Sequence, residues 1–226
     1  MTLSVQNFYN QLSEEINQGT RLDTYLPRYV RRAVRQLERN YSLLYMERFS
    51  GVDLDVDAAN ARFLPWPSEL TKKINFVRYA ASTDGTVTTA QNSNARGWVY
   101  LQRCDPINVT SIETASPQAY WLTGGEDGLG YLVLDQVGTT DITFEIHWVQ
   151  YTDWDSLLTT ATHWLLNNAE DVLIAQTLQL LAGLADEPDW IPKYTKMRDE
   201  GIRTLLMADE EFRSSGEATG FAMVYK

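Results

Sequence analysis

Cysteine is almost missing: Cys104 is the only one in 226 residues. One thiol forms no internal disulfide and builds no cysteine metal site, so Cys104 reads as a small packed hydrophobe in a reducing compartment. No Cys–His motif surrounds it to make it a nucleophile. Histidine is nearly as scarce, with only His147 and His163. His147 falls on the polar side of an alternating stretch and His163 opposite the apolar stripe of a helical one. Both are therefore expected at the solvated surface, and no metal or cofactor is expected. The first residues, Met1-Thr2-Leu3-Ser4-Val5-Gln6-Asn7, lack the basic stretch and apolar run of a secretion signal. No run approaches the ~18–20 apolar residues of a membrane span.

Recognisable catalytic patterns are lacking too. Gly124-Gly125-Glu126-Asp127-Gly128-Leu129-Gly130 is glycine-rich, but a strand pattern follows it where a phosphate-binding loop would open a helix, so it reads as a hairpin turn. No nucleophile elbow is present. Carboxylates are plentiful enough for a pair that cleaves glycosides, yet Glu113, Glu126 and Asp127 have nothing around them to mark such a pair. The chain is expected not to be an enzyme.

Cations are in short supply, 19 Lys and Arg against 30 Asp and Glu, for a net charge of −11. Phosphate neutralisation needs clustered cations, so nucleic-acid binding of the usual kind is not expected, whereas a conduit along which DNA slides would tolerate this sign. The few cations are unevenly placed. Seven Arg between Arg21 and Arg48 face only Asp23, Glu38 and Glu47, while twelve acids between Asp153 and Glu211 face Lys193, Lys196, Arg198 and Arg203. At 100° per residue Arg28, Arg31, Arg32, Arg35 and Arg39 share one helix face. A solvated face usually interleaves charges of both signs. A face of one sign reads equally as a docking surface for carboxylates, which arginine grips in bidentate pairs.

What is present reads as helices, then strands, then helices. Val5, Phe8, Tyr9, Leu12 and Ile16 predict a helix over 4–18, with Ser4 as its cap and Gly19 as its stop. Leu26, Tyr29, Val30, Ala33, Val34, Leu37, Tyr41 and Leu44 predict a longer one over 24–46, capped by Asp23, with Pro27 in its first turn. Residues 50–60 read as an acidic connection. Period-two patterns predict strands over 74–80, 97–103, 119–123, 129–135 and 141–151, the last with Ile142, Phe144, Ile146 and Trp148 on one side and Thr143, Glu145 and His147 on a solvated other. Helices are predicted again over 156–167, 169–184 and 189–213. The middle one is apolar nearly all round, and the last aligns Trp190, Ile191, Tyr194, Met197, Leu205 and Phe212. Gly201 lies on that stripe, as close approach of a neighbouring helix would require. The expected fold class is α+β: a discontinuous helical bundle from 1–60 and 152–213, an antiparallel β insertion over 61–151, and a tail from 214 to 226. The tail's Phe221, Met223 and Tyr225 read either as a loose end or as an arm that adds to a neighbour.

Seven Trp, twelve Tyr and seven Phe complete the inventory. Trp66, Trp98, Trp121 and Trp154 fall near element ends, where they serve core edges or interfaces. Between residues 20 and 213 the order of patterns resembles that of the head-to-tail adaptor (connector) proteins of tailed bacteriophages, the short-tailed kind especially. The resemblance rests on the N-terminal helical pair, then Phe63-Leu64-Pro65-Trp66-Pro67-Ser68-Glu69-Leu70 leading into Phe76-Val77-Arg78-Tyr79. It continues through Pro117-Gln118-Ala119-Tyr120-Trp121, Tyr131-Leu132-Val133-Leu134-Asp135 and the strand from Ile142 to Tyr151. It ends in Trp164-Leu165-Leu166-Asn167-Asn168 and the run from Leu173 to Asp186.

The resemblance implies a virion protein, made in the host cytoplasm, that forms a ring, usually twelvefold, beneath the portal. The ring would extend the DNA channel and carry the tail or nozzle protein. It would use Arg28, Arg31, Arg32, Arg35, Arg39, Phe221, Met223 and Tyr225 as subunit or portal contacts. Some relatives have been assigned peptidoglycan degradation, and no residue here matches such a site. Two other expectations remain: a cell-wall hydrolase, and a carbohydrate- or protein-binding module marked by exposed coplanar aromatics on the sheet.

Overall fold

The computed structural model describes residues 4–16, 22–55, 62–80, 98–105, 116–124, 130–137, 142–157 and 161–214. The fold is α+β. The chain divides into two compact units, one made of Met1–Met46 with Thr152–Lys226 and the other of Glu47–Tyr151.

The first unit is helical: α1 (Val5–Ile16), α2 (Leu26–Asn40), α3 (Trp164–Asn168), α4 (Glu170–Ala185) and α5 (Trp190–Ser214). In α1 the three- and four-residue spacing of Val5, Phe8, Leu12 and Ile16 puts all four in the core. Ser4 Oγ accepts from Asn7 N at 3.3 Å, as its place ahead of the helix predicts. α2 buries Leu26, Val30, Ala33, Val34 and Leu37. Asp23 does not cap it; its carboxylate accepts from Ser13 Oγ at 2.7 Å instead, tying the turn to α1. The helix also stops six residues short of Met46. Asn40, Tyr41 and Ser42 are weak helix formers, and the Leu44 N–H is claimed by Asp209 Oδ1 of α5 at 2.8 Å. Leu44–Met46 form a 3-10 turn.

α4 is the central helix, packed on α2, α3 and α5. Val172, Leu173, Ala175, Leu178, Leu181, Ala182 and Ala185 are all buried, so its unpatterned apolar composition matches its position. It closes on Asp186 in the left-handed region, φ 60°, which the short Asp side chain tolerates. A Cβ on Gly201 would lie 2.6 Å from Val172 Cγ2, so α4 and α5 meet at a spacing that only glycine permits. Around that contact α5 buries Tyr194 and Ile202, while Ile191 and Met197, predicted on the same stripe, are exposed. Arg198 takes the seam beside Met197 by reaching Gln179 Oε1 at 2.7 Å. The predicted helix over 156–167 is not formed as such. Trp154–Ser156 make a 3-10 turn, Thr162 bridges Ser4, and α3 begins only at Trp164, capped by His163.

The second unit contains β1 (Glu47–Leu54), β2 (Phe63–Pro65), β3 (Thr71–Ala80), β4 (Trp98–Tyr100), β5 (Gln102–Arg103), β6 (Ala119–Gly124), β7 (Gly130–Leu134) and β8 (Ile142–Gln150). They form two sheets, ordered β1-β8-β3-β4 and β2-β7-β6-β5. Every pairing is antiparallel except the short β5–β6 contact. One core joins them, with Leu64, Tyr120, Leu132 and Leu134 from the second sheet and Val77, Tyr79, Phe144, Ile146 and Trp148 from the first. The stretch predicted as one strand over 97–103 is two. Leu101 is buried between them, its N–H bonding Val77 O, and the next N–H crosses to the O of Gln118, just ahead of β6.

Glu47–Leu54 is a strand of the second unit, where the expected helical part runs to residue 60 with 50–60 as an acidic connection. Val52 and Leu54 pack against the core, while Asp53 and Gly51 take the opposite face. The alternation Val-Asp-Leu-Asp was present in the sequence, and its acidic half concealed it. Phe63–Pro65 is a further strand that is too short for periodicity to reveal.

Candidate functional site

The outer face of the first sheet gathers aromatic and ionisable side chains from four strands. The register aligns Phe49 of β1, His147 of β8 and Phe76 of β3. One step along, it aligns Gly51, Glu145, Arg78 and Tyr100. His147 is stacked between Phe76, at 4.1 Å between ring centres, and Phe49, at 5.6 Å. The Arg78 guanidinium makes two parallel bonds to Glu145, Nε to Oε2 at 3.0 Å and NH2 to Oε1 at 3.1 Å. It also donates to Tyr100 Oη at 3.0 Å and lies 3.9 Å over the Trp98 ring. Glu145 Oε1 is 2.5 Å from His147 Nε2.

Burial holds the His147 imidazole below its ordinary pKa, against the opposing pull of Glu145. The neutral ring then donates its Nε2–H to the carboxylate. With both Glu145 oxygens engaged, the trio is a satisfied network rather than a poised acid and base. His147 is thus not the solvated surface residue its alternation predicts, because its two Phe neighbours come from strands remote in sequence. Phe49 and Tyr100 remain 52% and 53% exposed, and the row ends on them.

On the helical unit, Arg28, Arg31, Arg32 and Arg39 are exposed and Arg35 is half-buried. Arg28, Arg32 and Arg39 fall on one line opposite the buried stripe, over roughly 16 Å at 1.5 Å per residue. Among the described residues, none of these three forms an ion pair, whereas Arg31 and Arg35 are engaged within the chain. Phe221, Met223 and Tyr225 lie outside the described residues.

No known family model matches the chain, and no curated protein matches its sequence.

A second cluster has no signature in the sequence. Glu38 of α2 is 1% exposed. Its carboxyl accepts from Thr152 N at 3.0 Å, from the Thr152 hydroxyl, and from Tyr45 Oη at 3.2 Å. Thr152 Oγ1 also lies 3.1 Å from His163 Nε2, and His163 Nδ1 accepts from Leu165 N at 3.2 Å. Because Nδ1 must accept, the proton sits on Nε2. The bonds then run one way, from imidazole to hydroxyl to carboxyl. Burial pushes the Glu38 carboxyl up, against the bonds from Thr152 and Tyr45. His163, predicted at the surface, is instead the cap of α3, and nothing in its local spacing marks it so.

Among the described residues no three His, Cys, Asp or Glu side chains are grouped to hold a metal ion, and no helix is long and apolar enough to cross a membrane. Burial, with Asp135 and Asp105, raises the Cys104 thiol above its ordinary pKa, which disfavours the thiolate that a nucleophile needs.

Proposed function

We propose that this chain is a structural subunit of a head-to-tail adaptor ring, working by contact with copies of itself and with a portal-like partner. The observation that most favours this reading is the line of Arg28, Arg32 and Arg39 on α2. Three guanidinium groups without ionic partners among the described residues stand on a chain whose net charge is −11. Any neighbouring copy offers an excess of carboxylates, and arginine binds these in pairs of bonds with fixed geometry. A contact of one face with a different face is heterologous, and it closes into a ring when the rotation permits. The chain's excess negative charge would keep passing DNA from adhering to that ring.

The test is the double variant Arg28→Glu, Arg32→Glu. Sedimentation of the full chain, alone and with a candidate portal, should show assemblies for the natural sequence and a loss of them for the variant. Circular dichroism and melting should stay unchanged. Unimpaired assembly of the variant rejects the reading.

The exposed row on the sheet favours a second reading, a binding module. Sugar recognition needs open ring faces, and here both faces of His147 and one of Phe76 are occupied by neighbouring rings. The row therefore suits a protein partner better than a glycan, since it offers ring edges and the single free face of Phe49. A glycan array that responds to the natural chain and not to Phe49→Ala would reverse that preference.

A further inference from the structure

Four strands form the edges of the two sheets: β1 and β4 in one, β2 and β5 in the other. An edge carries unpaired N–H and C=O groups, and proteins blunt such edges with brevity, proline or bulges. β4 is three residues long, β2 is three and ends in Pro65, and β5 is two. β1 is different. It runs for eight residues without proline and pairs with β8 in eight consecutive positions without a bulge, its charges being Glu47 and Arg48 at one end and Asp53 near the other. Among the described residues no strand pairs with its other side, and Arg48 Nη1 donates to Glu47 O at 2.8 Å, so the edge open to a new strand is Phe49–Leu54. It carries the exposed Phe49 on one face and the half-buried Val52 and Leu54 on the other.

We infer that this edge receives the C-terminal segment of a neighbouring copy as an added strand, an inference that rests on the assembly reading above. α5 ends at Ser214, and twelve residues follow it. Ser215–Gly220 contains two glycines and spans up to ~20 Å at ~3.3 Å per residue. Phe221-Ala222-Met223-Val224-Tyr225 then alternates large and small apolar residues. Added to β1, it sets Phe221, Met223 and Tyr225 beside Phe49 and the aromatic row. Ala222 and Val224 fall beside Val52 and Leu54, extending the core. Backbone bonds supply affinity in such an addition, and the alternate side chains supply selectivity. Two β1 strands pairing edge to edge fit less well. Antiparallel partners share a face, and the longest such registers set Glu47 or Phe49 of one copy against Asp53 of the other.

Two measurements on the chain test this. Ending it after Ser214 should weaken self-association about tenfold or more, read by sedimentation, with an unchanged circular dichroism spectrum. Benzoylphenylalanine at Met223 of the full-length chain, mixed with an isotope-labelled copy, should cross-link to Glu47–Leu54 of the labelled copy. Undiminished association of the shortened chain overturns the inference, as do cross-links confined to the same copy or to other segments. If the shortened chain still assembles while the Arg28→Glu, Arg32→Glu variant does not, the strand addition falls and the adaptor reading stands. A full-length chain that stays monomeric, alone and with the candidate portal, rejects both.

Discussion

Each unit seats a carboxyl among a histidine and hydroxyl groups, and the two do so under opposite conditions. On the sheet, Glu145 is held by the Arg78 guanidinium, which also takes the Tyr100 hydroxyl, and by His147. The cation compensates the carboxylate, so burial weighs on the imidazole and lowers its pKa. In the helical unit Glu38 has hydroxyls and a backbone N–H around it, and Arg35 contributes only the weakest of the pulls on it. There burial weighs on the carboxyl and raises its pKa. One type of cluster thus shifts a base downward where a guanidinium is in contact and an acid upward where none is.

The largest effect follows from that contrast. Glu38→Ala removes the acceptor of the Thr152 N–H, its hydroxyl and the buried Tyr45 hydroxyl, and should cost about 3 kcal/mol in urea unfolding. Glu38→Gln keeps an acceptor and should cost less, with a pH signature. The folded pKa lies above the ordinary 4.5, so as pH rises the unfolded chain gives up its proton first. The natural chain's stability should therefore decline as pH rises from below 4.5 through the folded value, relative to a Gln variant that has nothing to titrate. Parallel pH profiles of the two chains would remove Glu38 from this account.

The same contrast shows what the sequence could and could not disclose. Periodicity is local, so it locates α1, most of α2 and β8, whose apolar residues repeat at 3.6 or 2, while the unbroken apolar run locates α4. Periodicity also locates Gly201 as a point of close approach because a glycine on a buried stripe has few other reasons to be there. Hydrogen-bond partners are not local: Thr152 meets Glu38 across 114 positions. Local spacing therefore puts both histidines at the surface and leaves Glu38 as one of the few acids of a basic stretch. The arginine face is legible because its five members share one helix. The aromatic row is not, since Phe49, His147 and Phe76 come from three strands and the acidic half of β1 reads as a connection.

A finer test lies on the sheet side of the contrast. The His147 pKa is lowered from its ordinary 6.5, so the unfolded chain takes up a proton before the folded one does. Stability from this group is therefore complete above pH 6.5 and declines as pH falls below it, the reverse of the Glu38 trend. His147→Phe preserves the stack between Phe49 and Phe76 and removes the titration. Melting of the two chains from pH 7.5 to pH 5 should show the natural one losing more on acidification, by less than the cost of Glu38→Ala. If the two chains lost equally, the pull of Glu145 would cancel burial; if the natural chain lost less, Glu145 would hold an imidazolium. The sheet cluster would then be a three-member ion network under the same aromatic row, with its cationic excess facing whatever partner the row meets.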